Sequence, residues 1–124
     1  MKIENIKFKA KRLDEKGWVE GSLIRSNAGI KERAYIVDSF SSMSDYSVIG
    51  VGPSTVCQFT GLKDTNDVPI FEGDIIDFDG EGEVVFKDGA FYAKFGKYTE
   101  CLLCNLVKSG LSVTIVGNKF DKEK

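Results

Sequence analysis

From Ile75 to Phe95 the chain alternates short runs of β-branched and aromatic residues with glycine-bearing turns. The runs are Ile75–Phe78, Glu83–Lys87 and Ala90–Phe95. Asp79-Gly80-Glu81-Gly82 joins the first pair and Asp88-Gly89 the second. A two-residue Asp-Gly link suits a hairpin turn in which both residues take positive φ, and its twist matches that of antiparallel strands. The pattern predicts a three-stranded antiparallel meander. Strands this short suit a small, strongly curved barrel or a sandwich.

Other segments carry the same signal. Ile6, Phe8 and Ala10 alternate with Lys7, Lys9 and Lys11, the period of a half-buried strand. Asp14-Glu15-Lys16-Gly17 is turn chemistry, and Trp18 to Ile24 reads as the returning strand, so 6–24 is a predicted hairpin. Ala34–Val37 is a short strand, and Ser39–Ser47 reads as a Ser- and Asp-rich loop. Thr55–Thr60 is the next strand, Asn66-Asp67 a tight turn, and Val113–Val116 the last strand. Tyr98 to Val107 differs: Leu102, Leu103, Leu106 and Val107 recur at helical spacing, with Thr99 placed to cap and Gly110 beyond the end. One short helix is expected there. Phe8, Trp18, Phe59, Ile75, Phe86 and Val116 are the expected core.

Length and composition narrow the class. A chain of 124 residues with 42% hydrophobic and 29% charged residues is expected to form one soluble domain. Lys2, Glu4, Lys7 and Lys9 interrupt the N-terminus, so neither a secretory signal nor a membrane span is expected. Three sparsely placed cysteines suit a reducing cytoplasm. The net charge of −2 argues against a general nucleic-acid binder. The charge is uneven, however. Residues 1–33 hold nine Lys/Arg against five Asp/Glu, whereas 64–83 hold eight acids and no base. Complementary patches of this kind can bring two copies together.

No motif carries chemistry convincingly. The chain has no histidine, which removes the commonest general base and the commonest metal ligand. Cys101-Leu102-Leu103-Cys104 has metal or redox spacing, but Cys57 is the sole further thiol and no βαβ unit surrounds it. Two small hydrophobes in an apolar segment is the better account. Asp77, Asp79, Glu81 and Asp88, with Gly82 at position six, imitate a calcium loop. The flanks read as strands rather than helices, so an acidic hairpin face is expected instead. Glu72-Gly73-Asp74 is read as a bend whose carboxylates cap backbone amides. Lys7, Lys9, Lys11 and Arg12 form a basic edge, a possible contact surface for phosphates and also a guard against edge-to-edge pairing. No cofactor and no metal are expected.

The segment Thr55–Asp77 carries a family resemblance. Gln58-Phe59-Thr60-Gly61-Leu62-Lys63-Asp64, followed by Ile70-Phe71-Glu72-Gly73-Asp74-Ile75-Ile76, resembles the central block of YopX-like proteins of phages and prophages. Trp18–Ile24, Tyr35-Ile36-Val37 and Ile115-Val116-Gly117-Asn118 extend the similarity over nearly the whole chain. Two features depart from the pattern. The usual Asn-Gly turn is Asn66-Asp67, and the C-terminus is Lys119–Lys124 rather than acidic and Pro-containing. The resemblance implies a mainly β fold with a Src-homology-3-like small barrel and at most one short helix. It further implies a single domain over 1–124: a hairpin region 1–54, the signature and barrel 55–118, and a charged tail 119–124. Gln58, Thr60, Gly61, Leu62, Asp64, Glu72, Gly73 and Asp74 are its signature residues, expected to be structural. No catalytic residue can be carried over. The expected function is therefore non-enzymatic: self-association, or binding of a phage or host protein in the bacterial cytoplasm. Nucleic-acid binding through the basic edge is the alternative.

Overall fold

A computed structural model describes residues 2–26, 31–38 and 48–121. The expected loop at 39–47 and the last three residues of the charged tail lie outside them. The chain divides into two compact units, Met1–Gln58 and Phe59–Lys124.

In the first unit, β1 (Phe8–Lys11), β2 (Trp18–Ser26), β3 (Arg33–Asp38) and β4 (Val48–Val51) pair antiparallel in sequence order. The predicted 6–24 hairpin is present, with Lys11 opposite Trp18 and Phe8 opposite Gly21. β5 (Cys57–Lys63) opens alongside β1, with Cys57 opposite Lys9 and Gln58 opposite Phe8. A 3-10 turn at Pro53–Thr55 precedes it. There the Thr55 hydroxyl donates to the Gly52 carbonyl (2.7 Å) and accepts the Lys11 amide (2.9 Å), fixing the approach to β5. Alternate side chains build the core: Ala10, Val19, Ala34, Ile36 and Val51 are buried, and Phe8, Leu23, Ile49 and Val56 pack on them.

In the second unit, β5 continues and pairs with β6 (Pro69–Phe71). The strand order is β4-β3-β2-β1-β5-β6 in the first sheet and β10-β9-β8-β7-β11 in the second. β7 (Asp74–Asp77), β8 (Glu81–Lys87) and β9 (Ala90–Phe95) form the expected meander. Asp88 (φ 51°) and Gly89 (φ 81°) both adopt the left-handed conformation that the two-residue link requires. β10 (Thr99–Leu102) and β11 (Thr114–Asn118) flank the meander. Ile76, Val84 and Ala93 share one face and are fully buried with Leu103, joined by Ile70, Leu106 and Val113. A fully buried aliphatic side chain of this size contributes about 1.5–3 kcal/mol.

Several expectations need correction. The strands make two antiparallel sheets, and no closed barrel forms among the described residues. Closure needs the terminal strands of a sheet to pair, whereas β10 and β11 stay at opposite ends of theirs. The helix is shorter than expected: α1 spans only Leu103–Val107. Thr99–Leu102 pair along β9 instead, from Thr99 opposite Phe95 to Leu102 opposite Tyr92. A five-residue helix is too short to persist alone; burial of Leu103 and Leu106 holds it.

The expected core was right for Phe59, which is buried and lies 5.5 Å from Phe71, ring centre to ring centre. Phe8 and Trp18 are half-buried. Ile75 is half-buried because its neighbour Ile76 takes the inward face of β7. Phe86 is 47% exposed: it sits one residue from the end of β8, its ring tilted at 56° against Phe91 beside the turn. Val116 is 53% exposed because β11 bulges there, with Ile115 opposite Ile76 and Gly117 opposite Ile75.

Candidate functional site

The signature residues gather around two carboxylates. Asp64 follows directly on β5, whose second half is bulged. Phe59 faces Phe71 and Lys63 faces Pro69, so four steps on one strand match two on the other. Gly61 absorbs the excess at φ 84°. The Thr60 hydroxyl closes this bulge by donating to the Ile70 carbonyl (2.8 Å) and accepting the Leu62 amide (3.1 Å). Asp64 then shapes the turn: one oxygen accepts the amides of Asn66 and Val68, each at 2.9 Å. Its other oxygen accepts the Ile115 amide (3.1 Å). Thr65 adds two bonds to Val113, amide to carbonyl and hydroxyl from amide, both 2.8 Å. The turn thereby seats the start of β11.

Asp74 is the second anchor, only 1% exposed. It accepts the Phe71 amide (2.8 Å) and the Asn118 side-chain amide (2.9 Å). Gly73, buried between them in sequence, donates to the Val84 carbonyl (2.7 Å) and accepts the Lys119 amide (2.9 Å). Glu72 and Leu62 are half-buried; Gln58 and Gly61 are exposed. Asp64 and Asp74 are thus acceptors for the fold's own amides. Using either as a base would unmake those bonds. Asn118 was not singled out as a partner in the sequence, although the Ile-Val-Gly-Asn element holds it.

The basic residues do not form a sheet edge. β1 lies between β2 and β5. The lysines on and just before it engage the same sheet: Lys7 is 3.4 Å from Glu20, and the Lys9 and Lys11 ammoniums stand 5.0 and 5.8 Å from the Trp18 ring centre. Arg12 makes a two-pronged pair with Asp14, at 2.9 and 2.7 Å. This holds the Asp14 carboxyl down at about 2 and raises the Arg12 guanidinium. The acidic segment is likewise partly engaged: Asp64 and Asp74 are buried, and Glu83 lies 3.7 Å from Lys119.

The outward face of β2, β3 and β4 is what the sequence concealed. Tyr35 lies opposite Ile24, and Val37 opposite Val48. Ile24 is 44% and Val48 51% exposed, and Tyr35 and Val37 are half-buried. Alternation in each strand marks two faces but does not say which residues from three strands become neighbours.

The cysteines and the acidic loop are arranged unlike a metal site. Cys101 lies on β10, packed against the core, where burial raises its thiol pKa; Cys104 lies on α1. Asp77 and Glu81 face each other, but β8 separates Asp88 from them by about 20 Å at strand rise. Among the described residues no three His, Cys, Asp or Glu side chains converge to hold a metal ion. No helix among them is long and apolar enough to cross a membrane.

These features define a mainly β protein of two antiparallel sheets whose central turns are fastened by buried aspartates. The chain belongs to the YopX family: the family model described as YopX protein matches residues 7–123. No curated protein matches the chain.

Proposed function

We propose that this protein is a non-enzymatic module that works by protein binding, and that its first partner is a second copy of itself in the cytoplasm of a phage-infected or lysogenic cell. The observation that carries this reading is the outward face formed by Ile24, Tyr35, Val37 and Val48. Contiguous exposed apolar residues mark interaction surfaces. Charge adds orientation: residues 1–33 are net basic, and Asp77, Asp79 and Glu81 of the acidic segment are exposed. The five-stranded sheet with α1 is the part that a Src-homology-3-like element would occupy.

Light scattering after size exclusion at micromolar concentration tests it. The expected result is an oligomer that Ile24→Glu combined with Val48→Glu dissociates. A monomeric wild-type protein overturns self-assembly. The lysines beside Trp18 favour a second reading, contact with nucleic acid by charge and stacking. It predicts a mobility shift that Lys9→Glu with Lys11→Glu abolishes and that weakens steeply with salt.

A further inference from the structure

We infer that the first unit carries a binding site for a small organic anion, at the end of the sheet where β3 begins and β4 ends. A cavity of about 340 Å³ opens there, within the size range of small-ligand pockets. Leu13, Ala34, Val51 and Pro53 give it an apolar floor, and Lys31, Arg33 and Tyr35 supply the polar groups.

Three observations point to the ligand's chemistry. First, Lys31 and Arg33 bring two cationic side chains to the same cavity. Second, the one acid on the rim, Glu32, is drawn to Arg25 at 3.4 Å, which leaves the local balance positive. Third, Tyr35 lines the cavity with the two cations, and a phenol hydroxyl is a hydrogen-bond donor. A guanidinium offers a planar fork to a carboxylate or phosphate, and an ammonium adds a point charge. The floor would take an aliphatic or aromatic body. The ligand class is therefore an apolar group carrying one carboxylate or phosphate, rather than a neutral hydrocarbon or a cation. Tyr35 belongs to both this site and the outward face, whereas Val48 does not line the cavity.

The probe is anilinonaphthalene sulfonate, an aromatic monoanion, titrated by fluorescence into the full chain with near-ultraviolet circular dichroism confirming native packing. Hexanoate, hexyl phosphate, hexan-1-ol and hexylammonium are the competitors. The expected result is saturable binding displaced by hexanoate or hexyl phosphate, the stronger of the two identifying the headgroup. Hexan-1-ol and hexylammonium should compete about tenfold less well. Arg33→Glu should weaken the probe by about tenfold or more, while Arg33→Lys keeps most of the affinity. Val48→Glu, at a residue that does not line the cavity, should leave it unchanged, which separates this site from self-assembly. No saturable binding, equal competition by hexylammonium, or indifference to Arg33→Glu would each overturn the inference.

Discussion

Asp74 and Asn118, 44 positions apart, meet in the buried interior of the second unit with the Asn118 side-chain amide donating to the Asp74 carboxylate at 2.9 Å. The same carboxylate holds the Phe71 amide, so one side chain ties the β6–β7 turn to the end of β11. Replacing Asp74 by Ala strands at least one buried donor. The expected loss is about 2–4 kcal/mol by urea denaturation, since hydrogen bonds to charged groups are the stronger kind and a buried unsatisfied group adds its own cost. A loss near zero would show that water or a neighbour replaces the carboxylate.

Gly82 lies under the Phe95 ring. A Cβ built there would come within 2.6 Å of the ring. Gly82→Ala should therefore cost about 1–3 kcal/mol, the usual range for overpacking. In a Phe95→Ala background the cost should fall sharply, because the clash is then gone. A double-mutant cycle measures that coupling.

Phe59 and Phe86 should respond differently to truncation. Phe59 is 5% exposed and Phe86 47%. Phe59→Ala should cost about 3–5 kcal/mol. Phe86→Ala should cost roughly 1 kcal/mol, the loss of a half-solvated ring and its contact with Phe91. Equal losses in chemical denaturation would contradict the assigned burial.

The Asp14 carboxyl should titrate near 2 rather than at its ordinary 3.8, because Arg12 hydrogen-bonds its charged form. A folded value below the unfolded one means that the ionised form favours the fold. Its contribution is complete above the unfolded value and fades as pH falls through about 2. The pair is exposed, so the effect on stability is small. Carbon-detected titration of Asp14 checks the value, and Arg12→Gln should return it towards 3.8.

Local chemistry was enough for the turns and most strands. Asp88-Gly89 specifies its hairpin because the needed positive φ values belong to those two residue types, whatever surrounds them. The β1–β2 and β7–β8–β9 pairings follow from such turns plus alternation. What failed were choices between states that one segment permits equally. Ile75-Ile76 is apolar at both positions, and only packing decides that Ile76 goes inward. Val116 looked like a core residue until a bulge turned it out. Thr99–Leu102 could open a helix; the backbone groups of β9 claimed it as a strand. The candidate site divides the same way. Asp74 stood out as a bend residue, since a carboxylate beside a turn seeks nearby amides, whereas Asp64 was marked only by the family resemblance. Their bonds to Ile115 and Asn118, and the neighbourhood of Ile24, Tyr35, Val37 and Val48, depend on which strands pair. Sequence determines which conformations each segment can adopt. Tertiary structure selects among them, because burial and hydrogen bonding are settled by the partner a segment finds.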